Sequence, residues 1–150
     1  MEAIATNRKA FAEYEILEKY EAGLALRGSE VKSLRQGNAN LRDSFAILRG
    51  SEIFLLNCHI SPYAQAGPLN HEPTRSRKVL LHRDQIRRLI GKITQKGLTL
   101  VPLRLYFNAR NLVKVELALA KGKTHADRRD DIRKRDVKRE IARAVKRRNR

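Results

Sequence analysis

The last thirty residues, Lys121 to Arg150, carry fourteen Lys and Arg against five acids (Asp127, Asp130, Asp131, Asp136 and Glu140), a net +9 of the chain's formal +17. A segment so charged cannot bury enough apolar surface to offset the entropy of ordering it. It is therefore expected to be disordered when free and to add nothing to a core. The remaining body, about 120 residues, can close one hydrophobic core and has no room for two. The expected organisation is a single domain over residues 1–123 and a basic tail over 124–150. A chain with this charge repels itself at neutral pH. Counterion release from a polyanion is the largest source of affinity open to such a surface, whereas a small metabolite engages only a few of the charges. Nucleic acid is the partner class that composition favours.

Other classes fall away on simple grounds. No apolar run approaches the roughly 20 residues that span a bilayer, and Met1 to Phe11 (MEAIATNRKAF) lacks the apolar stretch of a secretory signal, so a cytoplasmic protein with no membrane partner is expected. The lone Cys58 cannot form an internal disulfide.

Periodicity divides the body into alternating strands and two helices. Tyr14, Ile16, Tyr20, Ala22, Leu24 and Leu26 share one parity, which predicts a long half-buried strand over 13–27. Gly28-Ser29 opens a short helix with Val31 and Leu34 on one face and Gly37 at its end. The apolar runs 41–49 and 52–60, hinged at Arg49-Gly50-Ser51, have hairpin spacing, and a loop marked by Pro62, Gly67, Pro68 and Pro73 follows. Ile86, Leu89, Ile90 and Ile93 form an i, i+3, i+4, i+7 stripe between Asp84 and Gly97, the clearest helix in the chain. Val101, Leu103, Leu105 and Phe107 then alternate, as do Val113, Val115, Leu117 and Leu119, so a second hairpin turns over 108–111. Pro102 implies an edge or a bulge in its first strand. The expected fold is mainly β with flanking helices. About five curved antiparallel strands in so small a body favour an OB-like closed barrel, because closure removes exposed edges, although the pattern also fits an open α+β sheet.

Catalytic motifs do not assemble. Gly122-Lys123-Thr124 has the ending of a phosphate-binding loop, but Leu117 stands where its first glycine is required. His59, His71, His82 and His125 are scattered, and adjacent strand positions would send Cys58 and His59 to opposite faces, so no metal ligand set is expected. Ser44 beside Asp43 has no histidine near it in sequence, and no carboxylate pair stands out. No catalytic residue, metal or cofactor is assigned, and the chain is not read as an enzyme.

Basic clusters are the positive signal. Thr74-Arg75-Ser76-Arg77-Lys78 places three cations in a loop, Lys32 and Arg35 lie three apart on the short helix, and Lys114 stands on the outward parity of an apolar strand. With only eight Tyr and Phe and no Trp, a stacking platform for bare single strands is poorly supplied, so a structured RNA read by backbone and shape fits better.

The strings EAGLALRGSEVKSLRQGNANLRDSFAILRG (Glu21 to Gly50), Asn7-Arg8-Lys9-Ala10, HEPTRSRKVLLH (His71 to His82) and LAKGKTHADRR (Leu119 to Arg129) closely resemble, in order and spacing, the bacterial SsrA-binding protein family, also called small protein B. The resemblance covers essentially the whole chain. It implies an OB-type barrel with flanking helices that binds the tRNA-like domain of transfer-messenger RNA (tmRNA), the pair together mimicking a tRNA. It also implies that the alanine-charged complex, carried by elongation factor Tu, enters stalled ribosomes and rescues them by trans-translation. Positions matching the family's RNA-binding surface are Asn7, Glu21, Arg35, Leu80 and Lys114, with Lys121 and Lys123 at the root of the tail. Lys32, Arg77 and Lys78 are added from charge and motif. By pattern alone Leu80 is most simply a core residue, and its place among the contacts rests on the resemblance. Glu21 is an acid on a surface meant for phosphates. It can accept from base amino groups or 2′-hydroxyls, or orient a cation such as Arg35 or Lys114.

The tail departs from the family's pattern, in which Asp-Lys-Arg commonly follows a histidine or tyrosine. Here Asp127-Arg128-Arg129 follows Ala126, and His125 sits one place earlier. Arginine for lysine keeps the charge and changes the donor geometry. Val137, Ile141, Ala144 and Val145 form a stripe at helical spacing, and acids lead while arginines crowd the end, as a helix dipole prefers. The expectation is a tail that becomes helical on the ribosome, in the empty mRNA channel beyond the decoding centre. Its expected contacts are His125, Asp127, Arg128, Arg129, Lys134, Arg135, Val137, Lys138, Arg139 and Ile141. The rival readings are a general basic RNA-binding or ribosome-associated protein, which does not account for the long family strings, and a nucleic-acid-processing enzyme, for which neither metal nor nucleophile is visible.

Overall fold

The computed structural model describes residues 3–122. In chain order these are β1 (Ala3–Thr6), α1 (Arg8–Glu13), β2 (Tyr14–Leu24), α2 (Gly28–Arg35), β3 (Ala39–Asn40), β4 (Phe45–Arg49), β5 (Glu52–Leu56), β6 (His59–Ile60), a 3₁₀ segment (Ala64–Leu69), β7 (Arg77–Leu80), α3 (Arg83–Lys96), β8 (Thr99–Phe107) and β9 (Val113–Gly122). All the pairings are antiparallel. The main sheet runs β1-β8-β4-β5-β7-β2-β9, and β8 also pairs with β9, so the chain of pairings from β8 through β4, β5, β7, β2 and β9 returns to β8. Its thinnest joints are β4 to β8, through Ala46 and Leu100 alone, and β2 to β7, through Gly23–Leu80 and Leu24–Val79.

The expected alternation holds along β2, where Tyr20, Ala22 and Leu24 are buried and Lys19 and Glu21 are exposed. The strand stops at Leu24 rather than at 27 because the chain turns into α2, whose Glu30 accepts from the Arg27 backbone N–H (2.8 Å). Such a side-chain acceptor satisfies a donor that the first helical turn leaves unpaired. Gly37, at φ 76°, ends that helix as expected. In α3, Leu89 is fully buried and Ile86 and Ile93 pack against the core, while Gly97 takes the left-handed conformation and donates to the Ile93 carbonyl (3.1 Å).

The outcome differs from the sequence pattern in three further places. The run 41–49 starts its strand only at Phe45, after a turn with Asp43 at φ 61°. The run 52–60 breaks at Asn57 (φ 58°), leaving His59–Ile60 to pair separately with Ala39–Asn40. The alternating run 101–107 is split by the bulge that Pro102 implied, at Pro102–Arg104. The extra residue resets the parity: Leu105 and Phe107 face the main core, whereas Val101 and Leu103 join Ala10, Ala118 and Ala120 in a smaller cluster.

Arg77 requires a correction. Instead of standing in a loop with the other cations, it begins β7 and is 0% exposed. Its Nε donates to Glu30 Oε2, Nη1 to the Cys58 carbonyl (2.5 Å) and Nη2 to the Pro73 carbonyl (3.1 Å). Glu30 is buried as well and receives a second guanidinium, from Arg75 (2.5 Å). A buried carboxylate demands such partners, and motif matching does not show which of two neighbouring arginines it will take. Arg77 is therefore a buried structural cation, not a surface one.

Burial pushes the Glu30 carboxyl up, but the hydrogen bonds from Arg75, the Arg27 backbone and Arg77 outweigh it and leave the group below the usual glutamate range. A depressed carboxylate contributes stability that is present above the unfolded pKa, about 4.3, and is lost as pH falls through the folded value. Denaturant midpoints should therefore drop on acidification below that range, and Glu30→Gln should remove part of the drop. In the same measurement, Arg77→Ala should cost about 3–5 kcal/mol and Lys78→Ala, one residue away but exposed, less than about 1 kcal/mol.

Candidate nucleic-acid interface

The ring of strands brings Gly23 between two neighbours, Leu80 of β7 on one side and Lys114 of β9 on the other. Alpha-helix α3 follows β7 directly, so its first turns wall the same region. The result is a groove of about 710 Å³ whose lining includes Glu21, Lys78, Leu80, Arg83, Ile86, Arg87, Ile90 and Lys114. Glycine at 23 keeps its floor low, since a Cβ there would lie 3.4 Å from the Leu80 Cβ. The wall is fastened by Lys92 of α3, which donates to Glu18 of β2. Lys92, then the Tyr20 hydroxyl, holds the Glu18 carboxyl below its usual range.

Four expected site residues meet here although they are far apart in sequence: Glu21, Lys78, Leu80 and Lys114. Leu80 is 49% exposed, so the reading of it as core is overturned; β7 turns that face outward while Val79 fills the core. Lys78 pairs with Glu52 (3.3 Å). Among the described residues Arg83, Arg87 and Lys114 form no ion pair, which leaves their charges uncompensated at the groove. Arg83 and Arg87 were not anticipated. Their signal was the i, i+4 spacing of two cations on the polar face of the clearest helix.

The remaining expected residues lie elsewhere. Asn7 is only 6% exposed: its Oδ1 accepts from the Ala10 N–H (3.3 Å) at the start of α1 and its Nδ2 donates to the Pro102 carbonyl (2.9 Å). It pins α1 to the β8 bulge, away from the groove. Lys32 and Arg35 are exposed on α2. Lys32 lines a separate hollow of about 460 Å³, its ammonium 5.6 Å from the centre of the Tyr63 ring. Lys121 is exposed near the end of β9, opposite Glu15. Lys123 and the tail residues His125, Asp127, Arg128, Arg129, Lys134, Arg135, Val137, Lys138, Arg139 and Ile141 lie outside the described residues.

Two acids line the groove: Glu52, matched by Lys78, and Glu21 of β2, whose Oε2 accepts from the Tyr106 hydroxyl of β8. Burial, then the Glu21 carboxylate, pushes that phenol far above the usual tyrosine range, so it stays a neutral donor. The neighbouring acid, Glu116, is paired with Arg104 (2.5 Å). Cys58 is fully buried and its thiol is pushed up to about 11 by burial, so it is not a thiolate at neutral pH. Among the described residues no group of three or more His, Cys, Asp and Glu is placed to hold a metal, and no helix is long and apolar enough to cross a membrane. A groove mixing unpaired cations, one oriented carboxylate and an exposed leucine can hold phosphates, accept from base or ribose donors and pack a sugar or base face at once.

The model of the SmpB protein family matches residues 4–147. Relatives named SsrA-binding protein include that of Symbiobacterium thermophilum, 60% identical over 146 residues, which are 97% of this chain and 92% of the relative. That of Carboxydothermus hydrogenoformans is 58% identical over 143 residues, 95% of each. The Thermosipho africanus protein is 52% identical over 147 residues, 98% of this chain and 99% of the relative. A solved chain, described as "tmRNA-SmpB: a journey to the center of the bacterial ribosome", aligns with a TM-score of 0.66 at 50% identity, over 85% of this chain and 93% of that one. With a family model spanning nearly the whole sequence and relatives more than half identical along it, this chain belongs to the SmpB protein family.

Proposed function

We propose that this chain binds the tRNA-like domain of tmRNA and delivers it to stalled ribosomes for trans-translation. The observation that carries this reading is the groove, in which Glu21, Leu80 and Lys114, drawn from three strands, converge on a surface with unpaired Arg83 and Arg87. The relatives' names and the solved tmRNA-SmpB chain support the choice of RNA. The body is read as a closed OB-type barrel, in keeping with the returning chain of strand pairings. Glu21, Lys78, Leu80 and Lys114 form the centre of the contact, joined by Arg83 and Arg87. Lys32, Arg35, Lys121 and Lys123 extend it as phosphate contacts. Asn7 and Arg77 act from beneath, by holding the elements that bear it.

The tail is assigned to the ribosome. Residues 124–150 carry the stripe of Val137, Ile141 and Val145 among a dense run of cations. A basic helix with that stripe suits a phosphate-lined channel that a truncated message no longer fills. Delivery as the alanyl-tmRNA complex with elongation factor Tu, and work in the cytoplasm, belong to the same proposal. The chain is a binding protein here, with no chemical step of its own.

Gentle co-purification followed by RNA sequencing tests the reading directly: tmRNA should dominate, and a broad mixture of RNAs would favour a general RNA-binding protein. Lys114→Ala should weaken binding to the isolated tRNA-like domain by about 1–3 kcal/mol, with a smaller loss on unrelated duplex RNA. Leu80→Ala should weaken the same complex while leaving the salt dependence of binding unchanged, because it removes no charge. Equal losses on both RNAs in calorimetric titrations would reduce Lys114 to a generic phosphate contact.

The tail is tested on ribosomes stalled at the end of a message. Ending the chain after Lys123 should preserve binding to the tRNA-like domain and abolish tagging. Ile141→Pro keeps every cation but costs a helix roughly 3 kcal/mol. It should bind tmRNA normally and lose tagging, whereas Ile141→Leu should retain it. A fully active proline variant would mean that unstructured charge suffices.

A further inference from the structure

The Tyr106 hydroxyl belongs to none of the cationic clusters, yet it makes the hydrogen bond that fixes Glu21, the groove acid that no cation pairs. Tyr106 sits on β8 and Glu21 on β2, with β9 between them. In register Tyr106 faces Lys114 and Glu21 faces Glu116, so the bond crosses β9 diagonally between positions 114 and 116. Glu21 thereby stands on a ridge. On one side it lines the groove with Leu80 and Lys114, and on the other a small hollow with Ala3, Arg104, Tyr106 and Glu116.

Without that bond the nearest unpaired cation on the strand beside Glu21 is Lys114, its diagonal neighbour. A carboxylate and an ammonium at such spacing on one face of a sheet attract each other. Their pairing would withdraw both the acceptor and the cation from a ligand. A phenol prevents this without adding charge: it satisfies Oε2 as a neutral donor and leaves Oε1, which has no hydrogen-bond partner among the described residues. Arg104 cannot easily substitute for it, because its guanidinium is engaged by Glu116 at 2.5 Å. The Tyr106 ring is almost wholly buried, so its hydroxyl is held in place by packing and not by a mobile side chain.

We propose that Tyr106 is a positioning residue for RNA recognition: its hydroxyl holds Glu21 turned toward the RNA and away from Lys114, keeping one acceptor and one cation separately available in the groove. This rests on the reading of the groove as the contact for the tRNA-like domain. The phenol is held neutral by burial and then by the carboxylate itself.

The test is a double-mutant cycle on the full-length protein, with the tRNA-like domain of tmRNA as probe. Tyr106→Phe keeps the buried ring and is expected to retain the unfolding midpoint to within a small shift, while binding weakens roughly tenfold. The slope of log affinity against log salt should also fall by about one phosphate contact, as Glu21 captures Lys114. Glu21→Gln alone should weaken binding, and in that background Tyr106→Phe should cost almost nothing further. The same loss from Tyr106→Phe in both backgrounds would assign the residue a merely structural part and overturn the proposal, as would unchanged binding by Tyr106→Phe alone. Unchanged binding by Glu21→Gln would instead overturn the reading of the groove on which the proposal rests.

Discussion

One buried guanidinium holds the parts of this fold together. Arg77 bonds the Glu30 carboxylate of α2, the Cys58 carbonyl after β5 and the Pro73 carbonyl of the long loop, so a single side chain ties a helix, a strand exit and a loop to the start of β7. It acts where the sheet is thin, because β7 meets β2 through only two residue pairs. A buried ion pair seldom adds much net stability over a well-packed apolar alternative. Its consequence here is positional: with Arg77 pointing inward, the alternation of β7 turns Lys78 and Leu80 outward and Val79 into the core. The groove's apolar contact thus follows from the charge buried three residues before it.

Apart from the Lys78–Glu52 pair, the groove is an arrangement of charges kept apart. Acids of the body are mostly matched: Glu30 with Arg75 and Arg77, Glu116 with Arg104, Glu18 with Lys92 and, at the groove, Glu52 with Lys78. Arg83, Arg87 and Lys114 are left without such partners among the described residues. A cation already paired has part of its charge offset by its partner, whereas these three carry theirs uncompensated. Glu21 bonds a neutral phenol in place of a cation, which preserves that balance at the one groove acid that no cation pairs, since Glu52 is matched by Lys78.

Legibility in the sequence followed the range of the interactions. Helix α3 was legible almost residue for residue, because its stripe, its acidic first turn and its terminal glycine are all local signals. The hairpin of β8 and β9 was legible too, and Pro102 announced its bulge. The parity reset that follows was missed, since a bulge is defined by the partner strand and not by the strand that carries it. The short strands β1, β3, β6 and β7 have too few residues for a period to show, and they form because a partner edge is waiting for them. Leu80 and Arg77 were exchanged in the pattern reading, the leucine placed inside and the arginine outside. Residue type sets a preference for burial, but the register of β7 against β5 and β2 sets the face.

The sequence by itself determined that the chain is a small, strongly basic, mainly β body followed by a charged tail, and its long strings carried the resemblance to one family. Those properties reside in composition, local period and contiguous motif, which need no folded chain to be read. Only the tertiary structure decided which cations remain free and which are spent on internal acids. It also decided that Asn7 and Arg77 serve the frame, and that Glu21, Leu80 and Lys114 share one groove with Arg83, Arg87 and Tyr106. The physical reason is that a charge's availability depends on what lies within a few ångströms of it, and antiparallel pairing across the ring makes neighbours of residues as far apart in the chain as Glu21 and Tyr106.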